Sequence, residues 1–338
     1  MLYNKFNVCA VIVTYSNRFG LLKQVIKSCI ENEISTIIVV DNNSTSESKE
    51  QLVLFEQKYS KVLQVIYLDK NFGSAGGYKI GLQRALEQKC DYIYLLDDDN
   101  KLKHNAVSKL VDEWTKLVDI DNKEEQLALL SYRSDRTIYK EAIIKNNPSY
   151  ILGMKNSFLG FHILDIPFKI IKFIKKKFIK VAYRKDCGIN SGKVLVAPYG
   201  GMFFHKQLIK KIGLPNELFF VYADDYEWSY RIPNIYLVLD SQIEDIDISW
   251  NLKKISSPFY TYLNNGSDFR VYYSVRNRVY FEQSIVNNRY SYSINKAVFL
   301  FFLFFYRNCS NKSRYEIFKK AVIDGLSGNL GETFDMGI

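Results

Sequence analysis

The chain has 338 residues, a formal net charge of +10, 47% hydrophobic residues and 15% aromatic residues. This apolar content excludes a disordered chain, and 17 Gly with 6 Pro exclude a collagen-like protein. The five cysteines form no CxxC pair, which argues against a disulfide scaffold or structural zinc site and indicates a reducing compartment. The positive charge predicts an acidic partner: nucleic acid, a membrane surface or a phosphorylated ligand.

The first hundred residues alternate between strand and helix patterns. Short β-branched runs predict buried strands, and apolar residues three and four positions apart predict helices. This alternation predicts an α/β fold in which a mostly parallel central sheet has helices on both faces. The predicted strands cover residues 8–14, 36–40, 62–68 and 92–96, and the predicted helices cover residues 19–30, 46–59 and 73–88.

The second half of the chain has a less regular pattern. We expect an α/β domain over residues 1–240 that contains a basic insertion at 158–185. A helical C-terminal region over 241–338 is expected to complete its site. The later predicted elements are a strand at 194–197 and helices at 206–212, 271–285 and 293–306.

Signals for export or membrane insertion are absent from this pattern. The N-terminal residues lack the basic, apolar and small-residue order of a signal peptide. The longest uncharged apolar run, residues 297–306, is shorter than the roughly 20 residues that span a bilayer. We interpret this run as a buried helix, with shallow insertion into a membrane as the alternative, and expect a cytoplasmic protein.

Polar segments follow the predicted strands at their carboxyl ends, where open α/β sheets bind ligands. In Asp97-Asp98-Asp99 the adjacent carboxylates repel each other, and Mg²⁺ or Mn²⁺ would offset the charge because these ions prefer oxygen ligands. Alternation along a strand lets Asp97 and Asp99 share one ion while Asp98 points elsewhere. A solvated acidic loop is the alternative.

Two further segments carry candidate chemistry. Residues 71–77 (NFGSAGG) open a helix, where small residues let a ligand approach the backbone and the helix N-terminus attracts phosphate. The spacing matches neither a dinucleotide-binding nor a Walker loop, and a plain turn is the alternative. Asp224 and Asp225, with Glu227, form a second acidic cluster that could supply a general base, or simply favourable charge at a helix N-terminus.

Together these motifs resemble those of glycosyltransferase family 2, whose members have the GT-A fold and use nucleotide sugars. The resemblance covers nearly the whole chain and is greatest to the galactofuranosyl- and rhamnosyltransferase branch, which builds bacterial surface polysaccharides such as capsule or O-antigen. The motifs follow the family order: residues 11–15 (VIVTY), 41–45 (DNNST), 71–77 (NFGSAGG), 97–99 (DDD), 213–215 (GLP), 219–227 (FFVYADDYE), 272–277 (YYSVRN) and 324–331 (DGLSGNLG).

The resemblance implies an inverting transfer of a sugar from a nucleoside-diphosphate donor to a hydroxyl. Asp225 would be the general base and Asp224 would orient the acceptor or the sugar. Asp97 and Asp99 would bind Mg²⁺ or Mn²⁺, and Asp98 would contact the donor sugar. The other implied donor-binding residues are Thr14, Tyr15, Asp41, Asn43, Asn71, Gly73, Gly76 and Gly77, and the implied acceptor-binding residues are Gly200, Gly201 and Trp228, the last by stacking on a sugar ring.

One position departs from the family pattern. The branch often has a Trp-His pair after the second acidic cluster, and the His is a further metal ligand. Here Trp250 is followed by Asn251, and His104, His162 and His205 do not match that place. Oxygens of the diphosphate and water would then complete the metal shell.

Residues 169–185 carry eight basic side chains and no acidic one, so the rest of the chain is nearly neutral. Most lysines fall on one side of a helical wheel and most apolar side chains on the other, which is typical of helices at a membrane interface. This pattern suits a polyprenyl-diphosphate-linked glycan acceptor and a peripheral location on the inner face of the membrane. A solvated helix packed on the domain is the alternative. The predicted membrane residues are Lys169, Lys172, Phe173, Lys176, Lys177, Phe178 and Lys180.

Other classes of protein remain as alternatives. A nucleotidyltransferase shares the α/β core and acidic metal site, but residues 15–20 lack its basic glycine-rich signature. A nucleic-acid-binding protein fits the charge but lacks a recognised motif, and a non-catalytic sugar-binding relative is disfavoured by two intact acidic clusters. We expect UDP-galactofuranose as donor, with dTDP-rhamnose or UDP-galactose as alternatives, no nucleic-acid partner, and possible pairing of copies through the late Tyr- and Phe-rich helices.

Overall fold

The computed structural model describes residues 6–119, 123–167, 188–247 and 257–334. The chain divides into two compact units. The first comprises residues 1–151 and 190–251, and the second comprises residues 152–189 and 252–338.

The strands of the described residues all belong to the first unit, and its helices lie between them. The strands are β1 (Val8–Ser16), β2 (Thr36–Ser44), β3 (Leu63–Tyr67), β4 (Tyr92–Asp97), β5 (Asn100–Leu102), β6 (Leu127–Arg133), β7 (Ser191–Val194), β8 (Met202–His205) and β9 (Asn234–Asp245). The helices are α1 (Phe19–Glu31), α2 (Ser46–Lys58), α3 (Gly73–Leu86), α4 (Ala106–Asp119), α5 (Thr137–Ile144), α6 (Gln207–Ile212) and α7 (Asp224–Tyr230).

The strands form one sheet, whose order in the described residues is β3-β2-β1-β4-β8-β6-β9-β5, with β7 paired to β9. The four N-terminal strands β1 to β4 pair in parallel, as the alternating pattern predicts. Beyond β4 the sheet becomes mixed, because β8 pairs antiparallel with both β4 and β6, and only β6 and β9 pair in parallel there. The α/β fold is confirmed, and the parallel arrangement holds for its N-terminal half.

Both faces of the sheet are buried. Side chains alternate along β1, so Ala10 and Ile12 enter a core with α1, α2 and α4, whereas Cys9 and Val11 enter a second core with α3. This double burial explains why the strands read as continuous apolar runs. The predicted helices on both faces are therefore confirmed.

Two boundaries differ from the sequence predictions. The strand predicted at 194–197 lies at Ser191–Val194, where it pairs antiparallel with β9. β9 continues to Asp245 and pairs with β5 and β6, so the first unit extends past the predicted boundary at residue 240. Residues 152–167, expected within the α/β domain, belong to the second unit.

The second unit contains helices, with an aromatic cluster in its core. Its helices are α8 (Pro258–Asn264), α9 (Asp268–Ile285), α10 (Arg289–Tyr306) and α11 (Lys312–Ser327). Across the described residues no helix is long and apolar enough to cross a membrane. The ring of Phe299 on α10 lies 4.9–6.1 Å, between centroids, from the rings of Phe158, Phe161, Phe259, Tyr262 and Phe318.

The motifs at 272–277 and 324–331 hold α9 against α11 and the chain that follows it. The Tyr272 hydroxyl donates to Asp324, and Arg276 Nη1 donates to the Gly331 carbonyl over 2.7 Å. A Cβ on Gly325 would lie 2.4 Å from the Arg276 carbonyl oxygen, so only glycine permits this approach. These two family motifs therefore have a structural role in helix packing.

We expect Gly325→Ala to lower the free energy of unfolding of the second unit by about 1–3 kcal/mol, because the added methyl must separate two packed helices. Urea unfolding followed by far-UV circular dichroism measures this loss. The exposed Ser313→Ala on the same helix serves as the control and should change stability by less than about 0.5 kcal/mol. Equal stability of Gly325→Ala and wild type would contradict the packing role.

Candidate active site

The ends of neighbouring strands bring the predicted site residues together in the first unit. In the strand register Thr14 pairs with Asp41, and Val13 pairs with Asp97. The segments that follow β1, β2 and β4 thus meet at one edge of the sheet, as predicted for parallel strands.

Asp97 ends β4, and its carboxylate is the most open of the three adjacent acids, with 38% of the side chain exposed. Tyr78 donates its hydroxyl proton to Asp97 Oδ1 over 2.8 Å, and Arg133 Nη1 lies 3.8 Å from Oδ2. A Cβ on Gly200 would lie 2.4 Å from that Oδ2 and 2.0 Å from Asn100 Oδ1. Gly200 therefore leaves room for the Asp97 carboxylate, and its predicted contact with an acceptor stays a prediction.

Asp98 is buried, and two side chains bind it: Thr14, which lies in β1, and Arg18, which comes just after that strand. The Thr14 hydroxyl donates to Asp98 Oδ2 over 2.7 Å, and Arg18 Nε donates to both oxygens over 2.8 and 2.9 Å. Both Asp98 oxygens thus face protein donors. This inward orientation fixes the acidic turn, and the expected contact of Asp98 with a donor sugar stays a prediction.

Arg18 also binds the third acid and an acid from another part of the chain. Its Nη2 donates to Asp99 Oδ2 over 2.8 Å and its Nη1 donates to Asp247 Oδ2 over 2.7 Å. One guanidinium therefore offsets the charge of Asp98, Asp99 and Asp247. Sequence reasoning missed Arg18, because its partners lie 80 or more residues away.

Negative charge remains in excess around Asp99. Burial, followed by the charges of Asp97, Asp98 and Asp245, raises the pKa of Asp99 to about 7. The carboxylates of Asp97 and Asp99 are hard oxygen ligands, which suit a divalent cation. Within the described ranges no three His, Cys, Asp or Glu side chains are arranged to hold a metal ion, and Asn251 lies outside those ranges. The described chain thus offers a partial shell that needs ligands from a substrate or water.

A buried carboxylate with one unused oxygen lies at the end of β2. Asp41 Oδ1 accepts a hydrogen bond from the Ser44 backbone N–H over 2.9 Å, while the buried Oδ2 has no hydrogen-bond partner among the described residues. Such an unpaired oxygen is costly unless a ligand donates to it. Asn43, beside it, is exposed and has a positive φ of 61°. This pair forms the predicted nucleoside end of the site.

Asn42, which sequence reasoning left out, anchors the glycine-rich loop. Its Nδ2 donates to Asn71 Oδ1 over 3.0 Å and to the Gly73 carbonyl over 2.9 Å, and its Oδ1 accepts from the Phe72 N–H. Asn71 Oδ1 also accepts from the Gly73 N–H. The predicted donor loop is therefore tied to the end of β2.

The glycines of this loop allow close packing against neighbouring chain segments. A Cβ on Gly73, whose φ is +69°, would lie 1.9 Å from the Phe220 carbonyl oxygen, which accepts the Ala75 N–H. A Cβ on Gly76 or Gly77 would approach side-chain atoms of Phe72 or Val13 to 2.6 or 2.7 Å. The loop thus contacts the segment that leads into the second acidic cluster.

That segment has strained backbone. Phe220 has φ 65° and ψ −69°, and the Val221 N–H donates to the Phe219 carbonyl, which together define a classic γ-turn. Tyr222 and Ala223 also have positive φ values, of 65° and 59°. Such conformations cost of order 1–3 kcal/mol each and cluster at functional sites. Here they place the start of α7 beside the glycine-rich loop.

The two acids at the start of α7 have different surroundings. Asp224 is buried, and its Oδ2 accepts the Ser74 hydroxyl over 2.7 Å. Burial and the charge of Asp225 raise the pKa of Asp224 to about 8. Asp225 is partly exposed, and burial raises its pKa to about 6, while the nearby Arg136 guanidinium favours the ionised form. Asp225 is therefore the accessible, ionisable acid of the pair.

Arg133 and Arg136 were not predicted from the sequence. Together with Tyr139 and Gly200 they line a small cavity. Arg133 is buried and donates to Asp135 over 3.1 Å and to Asp245, so its charge is already offset. Arg133 ends β6 and Arg136 comes shortly after it. The end of β6 comes near the acidic turn only when the sheet has formed.

Among the predicted acceptor-binding residues, Trp228 does not fit its predicted role, and Gly201 also has a packing role. Trp228 is completely buried: its indole N–H donates to the Gly213 carbonyl over 2.9 Å, and its ring packs near Tyr199 and Phe204. It cannot stack on a sugar ring from that position. Gly201 has a φ of +98°, and a Cβ there would lie 2.9 Å from Ile243 Cδ1, so this glycine also serves the packing of the sheet.

Several predicted residues lie elsewhere or outside the described ranges. Tyr15 is 44% exposed at the rim of the site, and the Arg18 guanidinium carbon lies 5.5 Å from its ring centroid. The predicted membrane segment lies outside the described residues, including Lys169, Lys172, Phe173, Lys176, Lys177, Phe178 and Lys180.

Residues 9–172 match the family described as glycosyl transferase family 2. The galactofuranosyltransferase GlfT1 of Mycolicibacterium smegmatis is 32% identical over 98 residues, which are 28% of this chain. The match spans 30% of the length of that relative.

Solved glycosyltransferase structures are similar to this chain at low sequence identity. The crystal structure of GalNAc-T7 with UDP, GalNAc and Mn²⁺ has a TM-score of 0.55 to this chain at 14% identity. The match covers 82% of this chain and 48% of the GalNAc-T7 chain. S. aureus TarS with UDP-GlcNAc has a TM-score of 0.49 at 13% identity, covering 95% of this chain and 81% of its own.

The first unit is an α/β domain with an acidic turn and a glycine-rich loop at the carboxyl ends of its parallel strands. It has the GT-A fold, as the similarity to GalNAc-T7 shows. Together with the family match over residues 9–172 and the galactofuranosyltransferase relative, this fold supports a glycosyltransferase of family 2. The sequence resemblance is thereby confirmed.

We expect Gly200→Ala to displace the Asp97 carboxylate and to weaken Mn²⁺-dependent binding of UDP at least tenfold, with little loss of fold. Both atoms that the new Cβ would meet are ends of side chains, which can move. Calorimetric titration with UDP, with and without Mn²⁺, measures the effect. Gly20→Ala, which meets no atom within 4 Å, is the control. Unchanged Mn²⁺-dependent affinity in Gly200→Ala would contradict this role of Gly200.

Proposed function

We propose that the protein transfers a sugar, with inversion, from a nucleotide sugar to a hydroxyl of a lipid-linked oligosaccharide. One arrangement carries the proposal: the acidic turn, the glycine-rich loop and the second acidic cluster meet at the same edge of the sheet. The hydrogen bond from Ser74 to Asp224 joins the last two directly. The groups proposed for donor binding and for acid–base chemistry are thus close enough to act together, as a group transfer requires.

The nucleoside end of the donor is assigned to the end of β2. The unpartnered oxygen of Asp41 would accept a hydrogen bond from the base or ribose, with Asn43, Thr14 and Tyr15 beside it. The loop of residues 71–77 would lie along the diphosphate. The relative's name supports galactofuranose as the sugar, so UDP-galactofuranose is the first donor to test, before dTDP-rhamnose and UDP-galactose.

Asp97 and Asp99 would hold Mg²⁺ or Mn²⁺ together with diphosphate oxygens and water. The ion would neutralise the charge that develops on the departing diphosphate. The solved structure of GalNAc-T7 contains Mn²⁺ and UDP, which supports testing this ion first. Arg18 keeps the neighbouring Asp98 in place, so that the two ligand carboxylates keep their positions.

Asp225 would take the proton from the acceptor hydroxyl as that oxygen attacks the anomeric carbon. It suits this role because it is partly exposed and ionises near neutral pH, with Arg136 favouring its charged form. Asp224 is buried and bonded to Ser74, so it would orient the start of α7 and the bound sugar.

The acceptor and the cellular location are assigned from the basic segment at 169–185. A helix with lysines on one side and Phe and Ile on the other would lie at the inner face of an anionic membrane. A polyprenyl-diphosphate-linked glycan would present its hydroxyl there.

We expect Asp225→Asn to lose transfer by at least about a hundredfold while UDP binding survives, because general-base catalysis contributes about 10²–10⁴-fold. In the wild type the rate should fall as the pH drops below about 6, because the base becomes protonated at its pKa. Radiolabelled sugar transfer and UDP calorimetry measure the two effects. The exposed Asp240→Asn is the matched control. Transfer at wild-type turnover by Asp225→Asn would show that the base is another group.

We expect Lys172→Glu, Lys176→Glu and Lys180→Glu together to release the protein from vesicles of phosphatidylcholine with 30% phosphatidylglycerol. Each lysine near such a surface contributes about 1 kcal/mol, so partitioning should fall by at least about a hundredfold. Sedimentation with sucrose-loaded vesicles measures it. The control changes three exposed lysines of the first unit, Lys23, Lys27 and Lys61, to Glu together. Unchanged sedimentation would rule out docking through this segment.

A further inference from the structure

Helix α10 has apolar side chains on two opposite faces. Its inner face carries Tyr292, Phe299 and Leu303, which are buried in the second unit. Phe299 lies at the centre of the aromatic cluster described above. The inner face therefore joins α10 to the core of the second unit.

The outer face carries five exposed apolar side chains, here called the aromatic stripe. At about 100° per residue they fall within an arc of about 100° on the helix. The exposed fractions, 46–86%, are large for apolar side chains of this size. The stripe consists of Tyr290, Ile294, Phe301, Phe304 and Phe305. Contiguous exposed apolar surface of this kind marks a site of interaction.

The charge around the stripe selects the partner. Residues 283–315 contain five basic side chains and no acidic one, and one of the five, Arg314, is paired with Asp268. At the end of the helix the Arg307 guanidinium carbon lies 4.6 Å from the ring centroid of Phe304 and 5.3 Å from that of Tyr315. Basic residues that flank Phe, Tyr and Ile are typical of helices lying in the plane of a membrane interface. Two copies paired through this face would bring like charges together.

A residue shortly before the basic segment in the sequence is hydrogen-bonded to α10. Asn295 on α10 is buried, its Oδ1 accepts the Ile163 N–H over 2.9 Å, and its Nδ2 donates to the Asn156 carbonyl over 2.8 Å. Lys169 follows Ile163 by six residues in the sequence. The helix that carries the stripe is thus hydrogen-bonded to a residue that lies six positions before the basic segment in the sequence.

We propose that the aromatic stripe of α10 is a membrane-docking surface that inserts its rings into the headgroup region of an anionic phospholipid bilayer. The proposal rests on the proposed membrane location of the acceptor and adds a second, apolar contact to it. The rings would supply binding that salt does not screen, while the lysines of 169–185 would supply binding that salt weakens.

The test uses the full chain and vesicles of phosphatidylcholine with 30% phosphatidylglycerol at 0.5 M salt. Phe301→Ser with Phe305→Ser should lower partitioning at least tenfold, because both rings would lose their insertion. The matched control is Leu54→Ser with Ile138→Ser, which removes two exposed apolar side chains from the first unit and should leave partitioning unchanged. Equal partitioning of the stripe variant and the wild type overturns the proposal.

A spectroscopic readout tests insertion directly. Compared with the wild type, which carries Trp114, Trp228 and Trp250, Phe305→Trp should show added emission that is blue-shifted on vesicles and quenched by brominated lipid. Absence of added quenching overturns the proposal. Light scattering after size exclusion detects the rival arrangement: a dimer that the stripe variant dissociates would make the stripe a subunit interface and also overturns it.

A UDP-binding measurement separates this proposal from the proposed function. The stripe lies in the second unit and the candidate donor site in the first, so the stripe variant should bind UDP with wild-type affinity. Loss of vesicle binding with intact UDP affinity supports the docking surface. Wild-type vesicle binding by a variant that also binds UDP normally overturns the docking surface and leaves the proposed transfer activity standing.

Discussion

The first unit depends on balancing the charge of three adjacent carboxylates at the end of β4. Repulsion between them would open the turn if their charge were not offset. Thr14 and Arg18 bind Asp98, Arg18 also binds Asp99, and Tyr78 donates to Asp97. These partners come from the segments beside the turn, so the acidic turn forms only when the sheet has assembled. Arg18 leaves Asp97 the most open of the three acids.

A second constraint links the glycine-rich loop to the acids of α7. Gly73 fits only because it has no side chain, and the Phe220 carbonyl fills that space. The strained turn at Phe220 then leads into Asp224 and Asp225. Strain of this kind is kept where surrounding contacts impose it, as the Ala75 and Ser74 hydrogen bonds do here. The donor loop and the general-base candidate are thus positioned by the same contacts.

Local sequence patterns were sufficient for the N-terminal half of the fold. The β-branched runs of β1, β2 and β4 and the glycine opening of α3 each depend on neighbours within the segment, and the elements lie where these patterns predicted them. The strand pairing in the mixed half of the sheet could not be predicted from local patterns. Strand β8 runs antiparallel between β4 and β6, and β9 continues past residue 240, because both pairings join segments far apart in the chain.

The sequence by itself determined the acidic clusters, the glycine-rich loop and the family they resemble, because these signals reside in short stretches of adjacent residues. Only the tertiary structure decided what their neighbours do. In the folded chain Trp228 is a buried packing residue, and the missing side chain of Gly200 leaves space for Asp97. Arg18 binds Asp98, which lies 80 residues away in the sequence. Burial and charge pairing depend on residues that meet only after folding, so a local pattern cannot reveal them.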